Sequence, residues 1–313
     1  MAAVEVGVRV PHGLFAEGPD AVAAFATSVE ASDLDRIWTG DHVSFKGGRG
    51  YDGLLTAIAL AAVTRRVTLQ TAVYLLALRH PVPVARQVAA VAELAPGRFT
   101  FGVGVGGDDP AEVANCGVDP ATRGRRTDES LALVRRLLAG ETVDHDGEAF
   151  RLRGASIVPV PTAPVPVVVG GRSAAALRRA GRLGDGWLGI WVTPDRFAAS
   201  VAAVEEAAAA AGRARADGSP EHGLLAWCGF AESRAAARGP LAAAMEALYQ
   251  QPFERFERSS PAGTPDDVAA ALAPYVEAGA TTLLLAPVAA DRDEAIAGAC
   301  RVRELLIGPP RSP

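Results

Sequence analysis

His42 is the residue of this sequence best suited to exchanging a proton near neutral pH, because imidazole titrates there. It follows Asp41, and both come directly after Arg36–Thr39, a short segment that predicts a strand. In a parallel sheet the crevice lies beyond the carboxyl ends of the strands, so this pair is expected to face it. Asp41 can orient the imidazole or accept a hydrogen bond from a ligand. The alternative is structural: His42 then bonds only the rim of the fold, and Asp41 caps the loop.

A second pattern predicts an anion site. The apolar, β-branched run Val165–Val169 is typical of a strand that is covered on both faces. A helix is predicted over Ala174–Leu183, and the N–H groups of its first turn attract anions. Between them lie four residues suited to a phosphate or carboxylate: Gly170, Gly171, Arg172 and Ser173. Small residues and a cap also occur at ordinary strand-to-helix turns, so a purely structural role stays open.

Glycines also end the predicted strand Arg98–Val105, within the run GVGVGG over 102–107. This run superficially resembles a dinucleotide-binding fingerprint, but the segment after it is not a clean helix, and no acid about twenty residues on closes a new strand. We expect the glycines to keep side chains away from a flat ligand lying over the strand ends. The acids that follow, Asp108, Asp109 and Glu112, are expected in a solvated loop.

The other histidines are weaker candidates. His80 lies in a turn, where we expect a structural role, whereas His12 ends the first predicted strand and so faces the crevice. His145 and His222 lie in polar segments and are expected to be solvated. Neither the histidines nor the cysteines have the spacing of metal ligands, so no metal is expected.

The composition is that of an ordinary globular protein: 49% of the 313 residues are hydrophobic and 21% are charged. The formal net charge of −5 comes without a basic run, which argues against nucleic acid as a partner. No apolar run approaches the roughly twenty residues that span a bilayer, so no membrane partner is expected. Cys116, Cys228 and Cys300 form no C-x-x-C pair, which indicates reduced thiols and a cytoplasmic protein.

Strands and helices alternate along the whole chain. Eight strands are predicted: Val4–Val10, Arg36–Thr39, Val67–Tyr74, Arg98–Val105, Val165–Val169, Trp187–Val192, Leu224–Phe230 and Thr281–Pro287. A helical pattern follows each of them, as in Asp20–Ser32, Leu54–Val63, Val84–Leu94, Arg123–Leu138, Ala174–Leu183, Pro194–Ala211 and Asp291–Leu306. We therefore expect an α/β protein, a (β/α)8 TIM barrel that forms a single domain over 1–307, with a disordered tail over 308–313.

Three features interrupt this alternation. A glycine-rich loop is predicted over Lys46–Gly53, and a hairpin over Thr142–Leu152 that turns at Asp146 and Gly147. Two helical patches are predicted around Pro240–Phe256.

The order of several short motifs resembles the bacterial luciferase-like monooxygenase superfamily, whose members are flavin- and deazaflavin-dependent oxidoreductases built on a TIM barrel. The motifs are Trp38-Thr39-Gly40-Asp41-His42, Leu78-Arg79-His80-Pro81, Gly97-Arg98-Phe99, Gly140-Glu141, Gly184-Asp185-Gly186-Trp187 and Gly263-Thr264-Pro265. Each motif alone is weak. As an ordered set that covers nearly the whole chain, they are specific.

This resemblance implies that a flavin or deazaflavin lies at the carboxyl end of the barrel, against a third strand that often carries a non-prolyl cis peptide bond. His42 and Asp41 would be the catalytic pair beside the ring, with His42 as proton donor or substrate contact. The residues that the resemblance assigns to the cofactor are Asp41, Thr71, Ala72, Val73, Gly104, Val105, Gly106, Gly170, Gly171, Arg172 and Ser173. The family also suggests a homodimer.

The Asp-His pair resembles the deazaflavin-dependent branch, so the expected cofactor is coenzyme F420, exchanging hydride with a small organic substrate. A carbon at position five makes a deazaflavin a hydride carrier, whereas reduced FMN reacts with oxygen. An FMN-dependent monooxygenase that uses molecular oxygen is therefore the alternative. A barrel that only stores or senses the cofactor, or one that binds a phosphorylated metabolite, also stays open.

Overall fold

Eight parallel strands close into a barrel in the computed structural model, which describes residues 4–107, 109–213 and 221–308. In chain order the strands are β1 (Glu5–Arg9), β2 (Arg36–Thr39), β3 (Thr68–Thr71), β4 (Tyr74–Leu75), β5 (Phe99–Gly104), β6 (Val143–Asp146), β7 (Arg151–Ala155), β8 (Val167–Gly170), β9 (Gly186–Ile190), β10 (Glu221–Phe230), β11 (Ala262–Gly263) and β12 (Thr282–Val288). Around the ring the order is β1, β2, β3, β5, β8, β9, β10 and β12, and β12 pairs with β1. The predicted (β/α)8 TIM barrel is confirmed.

Helices surround the barrel and cover its outer face. They are α1 (Pro19–Ala31), the single turn α2 (Phe45–Gly48), α3 (Gly53–Val63), α4 (Pro81–Leu94), α5 (Pro110–Asn115), α6 (Arg123–Leu138), α7 (Ala174–Leu183), α8 (Pro194–Ala210), α9 (Arg234–Tyr249), α10 (Pro265–Glu277) and α11 (Arg292–Ile307). Among the described helices, none combines the length and apolar composition that a bilayer span requires.

The predicted elements form, but one strand is divided. The third strand divides into β3 and β4 on either side of Ala72 and Val73, whose peptide bond is cis, as the resemblance implies. The predicted hairpin is the antiparallel pair β6 and β7. The prediction of two helical patches around 240–256 is confirmed by a short 3-10 helix over Phe253–Arg255 and by α9, which continues through Pro240. Leu241 and Met245 bury one face of this helix, and such packing outweighs the local effect of a proline.

The glycine-rich segment after β2 is a loop, as predicted, because Lys46, Gly47 and Gly48 have positive φ. It contains the turn α2, and Asp52 then caps α3 by accepting the amides of Leu54 and Leu55 at 2.9 and 3.1 Å. Of the tail predicted over 308–313, only Gly308 lies within the described residues.

Polar side chains fill the amino end of the barrel lumen. Arg36 of β2 bonds Glu5 of β1 and lies 2.9 Å from both Glu221 of β10 and Gln70 of β3. One buried guanidinium therefore joins four strands of the ring. Trp38, two residues further along β2, begins an apolar layer above it, and this layer separates the polar end from the carboxyl end.

Candidate functional site

A cavity of about 280 Å³ opens where the barrel strands end. The predicted site residues that line it are Asp41, His42, Ala72, Val73, Gly104, Val105, Gly106, Gly170, Gly171 and Arg172. Thr71 and Ser173 do not line it. Thr71 is fully buried, and its hydroxyl donates to the Gly102 carbonyl at 2.8 Å. The fold thus gathers most of the predicted residues from four separate strand ends into one space.

Glu112 of α5 holds the His42 ring. Its Oε2 atom lies 3.1 Å from His42 Nδ1, and its Oε1 atom accepts the amides of Val43 and Ser44 at 2.7 and 3.1 Å. Burial acts to raise the pKa of Glu112, but the hydrogen bonds from His42 and the two amides outweigh it and lower that pKa. An ionised Glu112 takes its bond from Nδ1–H, so Nε2 is the position of the ring that can exchange a proton with a ligand.

The prediction that Glu112 lies in a solvated loop is wrong, since it is only 2% exposed. Asp109 accepts the Ala111 amide at 3.1 Å and starts α5, and this helix turns Glu112 inward. An aspartate followed by a proline is a helix-start signal that could have revealed α5. No such local pattern indicated that Glu112 would pair with His42, which is about seventy residues away in the chain. Asp108 lies outside the described residues.

Asp41 is 2% exposed and pairs with Arg79 through both carboxylate oxygens, at 2.7 and 2.9 Å. The amides of Leu75 and Gly53 donate to it at 2.8 and 2.9 Å. Burial raises the pKa of Asp41, and Arg79 and the two amides oppose that shift. All four bonds are donated to the carboxyl group, so its ionised form is the one this site accommodates.

The hydrogen bonds of Asp41 match the structural alternative, in which this residue caps the loop. None of its hydrogen bonds within the described chain reaches His42, so the expectation that Asp41 orients the imidazole is wrong. Asp41 instead fixes the end of β2 to the start of α3, while Glu112 orients the ring. The Phe45 ring stacks on the imidazole with 4.1 Å between centroids and covers one of its faces.

Val73 and two glycines form a wall of the cavity without protruding side chains. A Cβ atom on Gly104 would lie 2.4 Å from Val73 Cγ2, and one on Gly170 would lie 2.8 Å from Val73 Cγ1. Real Cβ atoms do not approach so closely, so only glycine permits Val73 to pack between β5 and β8. The resulting apolar, shallow wall fits the face of a planar ring.

The amino end of α7 forms a positive corner beside this wall. Ser173 caps the helix by accepting the Ala176 amide at 3.2 Å. The Arg172 guanidinium is exposed and lies 5.4 Å from the centre of the Trp191 ring. The remaining amides of the first turn and this guanidinium suit a phosphate or carboxylate.

The other histidines are distributed as follows. His80 is structural, as predicted, because its Nδ1 atom accepts the Val82 amide at 3.3 Å at the start of α4. His12 borders a smaller adjoining cavity of about 50 Å³ that His42 also lines. The prediction of a solvated His222 is wrong, since it lies in β10 at 2% exposure. His145 is only partly exposed and lies 2.8 Å from Glu129.

Residue patterns did not single out the side chains on the far side of the cavity. These are Arg9, Trp191, Trp227 and Tyr249. Alternation along β1 could have found Arg9, because it shares a face with Glu5, which points into the lumen. Within the described residues, no group of three or more histidines, cysteines or acids could hold a metal ion.

These features define a (β/α)8 barrel with a cavity at its carboxyl end. The cavity contains an oriented histidine, the flat wall at Val73 and the positive corner at the start of α7. Residues 3–261 match the sequence profile of the luciferase-like monooxygenase family. The chain belongs to that family.

Relatives and solved structures agree with this assignment. A segment of 196 residues is 36% identical to the F420-dependent glucose-6-phosphate dehydrogenase of Mycobacterium avium, covering 60% of this chain and 57% of that protein. The chain thus spans little more than half the length of such curated relatives. An F420-dependent secondary alcohol dehydrogenase in complex with an F420-acetone adduct superposes with a TM-score of 0.82 at 21% identity, over 96% of this chain and 98% of the other. The oxygenating constituent of 3,6-diketocamphane monooxygenase from Pseudomonas putida, with FMN, gives 0.73 at 21% identity, over 98% and 97%.

Proposed function

We propose that this protein is an oxidoreductase that uses coenzyme F420 to exchange hydride with a small organic substrate. The observation that carries the proposal is the His42–Glu112 pair, which faces the same cavity as the flat wall at Val73. A proton-exchanging group beside a wall suited to a planar ring is what a hydride-transfer site requires, because alcohol oxidation or carbonyl reduction moves a proton together with the hydride.

The residues present fit the coenzyme. In the proposed complex, the ring face lies against the wall formed by the following residues: Ala72, Val73, Gly104, Val105 and Gly106. Gly170, Gly171 and Arg172 with the start of α7 would hold the phosphate, and Ser173 keeps that helix start in place through its cap. Bound F420 would supply or accept the hydride. Asp41 is a positioning residue in this arrangement rather than a proton carrier.

His42 moves the accompanying proton. Because Nδ1–H is held by Glu112, the ring offers Nε2 to the substrate, where it accepts a proton from a hydroxyl or, when protonated, donates one to a carbonyl oxygen. The negative charge of Glu112 favours the imidazolium that forms while the proton is on the ring. The stack on Phe45 limits rotation of the imidazole out of this position.

The named activities of the relatives support F420 as the coenzyme, since curated sequence relatives are F420-dependent dehydrogenases. FMN is the second candidate for the coenzyme, because the monooxygenase with the same fold binds FMN. Titrating the purified protein with F420 and with FMN tests the choice directly. The proposal expects F420 to bind at least tenfold more tightly than FMN, and a preference for FMN would replace it with the oxygen-dependent alternative.

Catalysis is tested with His42→Ala. Oxidised F420 is mixed with glucose 6-phosphate or a secondary alcohol, and loss of the oxidised coenzyme's visible absorbance is followed. Turnover should fall by roughly a hundredfold with F420 affinity within about twofold of wild type. His145→Ala is the matched control, because that histidine also pairs with a glutamate but lies outside the cavity. Equal turnover of His42→Ala and wild type would refute the catalytic role of His42 and favour the alternative of a barrel that only binds the cofactor.

We also propose a cytoplasmic homodimer. Leu55 and Val63 on α3 are 62% and 41% exposed, which suits a surface covered by a second copy. The three cysteines are free thiols, which suits a reducing compartment. Light scattering of the wild type and of Leu55→Glu would test the dimer, and a monomeric wild type would refute it. Cell fractionation would test the location.

A further inference from the structure

Arg9 lies at the carboxyl end of β1, where the barrel lumen opens into the cavity. Its guanidinium carbon lies 4.9 Å from the centre of the Trp227 ring and 5.8 Å from that of Trp38. Both tryptophans belong to the apolar layer of the lumen. The Arg9 guanidinium therefore packs against two tryptophan rings, and its polar edge faces the cavity.

This guanidinium has no anionic partner among residues 4–107, 109–213 and 221–308. None of the hydrogen bonds or ion pairs described there involves its side chain, although Arg9 is partly buried. The two acids that line the cavity are engaged elsewhere, Asp41 with Arg79 and Glu112 with His42. Burial lowers the pKa of Arg9, the electrostatic effect of Tyr249 only partly opposes that shift, and no carboxylate among the described residues contributes to it.

We infer that Arg9 binds the carboxylate of the substrate, so that the substrates of this protein are small organic acids with an apolar or aromatic body. Because the proposed function assigns the wall at Val73 and the corner at Arg172 to the coenzyme, the opposite side is left for the substrate, and the inference rests on that function. A guanidinium matches a carboxylate with two parallel hydrogen bonds. The apolar walls beside it, such as Leu188 and Ile190, suit the rest of such a molecule.

Binding of matched acids and amides tests the inference without requiring turnover. Benzoate and benzamide, and phenylacetate and phenylacetamide, are titrated into the protein with and without F420, and tryptophan fluorescence is followed. Trp38, Trp191 and Trp227 line the cavity, so occupancy should change the signal. In the wild type at least one acid should bind tenfold or more tightly than its amide.

Arg9→Met should raise the dissociation constant of that acid at least tenfold and leave that of the amide within twofold. Arg9→Lys keeps the charge but cannot form two parallel hydrogen bonds, so its affinity for the acid should lie between those of the wild type and Arg9→Met. It replaces Arg9→Met as the test variant if that protein does not fold. Arg182→Met, on the exposed last turn of α7, is the matched control and should match the wild type.

Three outcomes overturn the inference: equal binding of acid and amide by the wild type, unchanged discrimination in both Arg9 variants, or a tenfold loss of F420 affinity in Arg9→Met, which would assign Arg9 to the coenzyme. Failure of the wild type to bind F420 while acid discrimination persists would refute the proposed function alone. Tight F420 binding without acid discrimination would refute only the role of Arg9.

Discussion

The Nδ1 atom of His42 lies 3.1 Å from the Oε2 atom of Glu112, although 70 positions separate the two residues in the chain. This contact fixes which nitrogen of the imidazole faces the cavity. It depends on the capped start of α5 and on two amides of the loop that follows His42, which hold the carboxylate on its other side. The orientation of the imidazole therefore depends on a loop and a short helix rather than on the barrel strands.

Replacing Glu112 with Gln should lower turnover more than it lowers coenzyme affinity. The neutral amide no longer favours the imidazolium, so we expect kcat to fall by about ten- to a hundredfold, with the dissociation constant of F420 within twofold of wild type. Glu112→Asp should recover part of the loss. Glu129→Gln, which removes the carboxylate from the His145 pair outside the cavity, should leave kcat unchanged. Parallel losses of kcat in both Gln variants would contradict the orienting role.

Replacing Asp41 with Asn should destabilise the fold. The partly buried Arg79 guanidinium would lose its main counter-charge, the fully buried Asp41 carboxylate, and breaking a buried pair typically costs about 3 kcal/mol or more. Asp52→Asn is the control, because Asn also caps helices and Asp52 is the weaker partner of Arg79 at 3.1 Å. Urea denaturation would measure both free energies of unfolding. A loss below about 1 kcal/mol for Asp41→Asn would show that this ion pair adds little.

Asp185 should make stability depend on acid. It accepts the Val167 amide at 2.9 Å and pairs with Arg135 and Arg213 at 2.8 Å. Burial acts to raise its pKa, but the hydrogen bond and charge of Arg135, with smaller effects from the amide and Arg213, lower it. Its stabilising effect is therefore complete above the unfolded-state pKa of about 3.9 and is lost as the pH falls through the lower folded-state value.

The variant Asp185→Asn tests this dependence. It should unfold at lower urea than wild type at pH near 7, and the difference should shrink as the pH drops below about 4, because the carboxyl then protonates first in the unfolded state and, at still lower pH, in the folded state. A difference that stays constant over this range would mean that the side chain acts through packing or neutral hydrogen bonds instead of charge.

The close contact between Gly104 and Val73 predicts a compensating pair of substitutions. Gly104→Ala places its Cβ atom 2.4 Å from Val73 Cγ2 and should cost about 1–3 kcal/mol of unfolding free energy. In a Val73→Ala background the same change should cost less than half as much, because the colliding methyl group is gone. Gly239→Ala, which meets no atom within 4 Å, should be neutral or stabilising. Additive effects of the first two changes would contradict the contact.

Sequence reasoning succeeded where the signal is local. The positive corner at the start of α7 was visible in the order of strand, two glycines and cap at 165–173, because each of these residues acts on its immediate neighbours. Sequence reasoning failed for Asp41, whose partner Arg79 is 38 positions away. It also failed for Arg9, which packs against tryptophan rings of β2 and β10. Closure of the barrel brings these distant residues together, and hydrophobic periodicity in the sequence does not indicate which residues will meet.

The sequence alone determined that strands and helices alternate eight times and that His42 follows a strand end, because hydrophobic periodicity, caps and glycines act over a few residues. Only the tertiary structure decided that Glu112 rather than Asp41 holds the imidazole, and that Arg9 faces the cavity with no carboxylate bonded to it in the part of the chain that the structure describes. The physical reason is that a charge in a partly buried site takes its partner from whatever lies nearest in space. In a closed barrel, those neighbours come from strands and loops that are far apart in the chain.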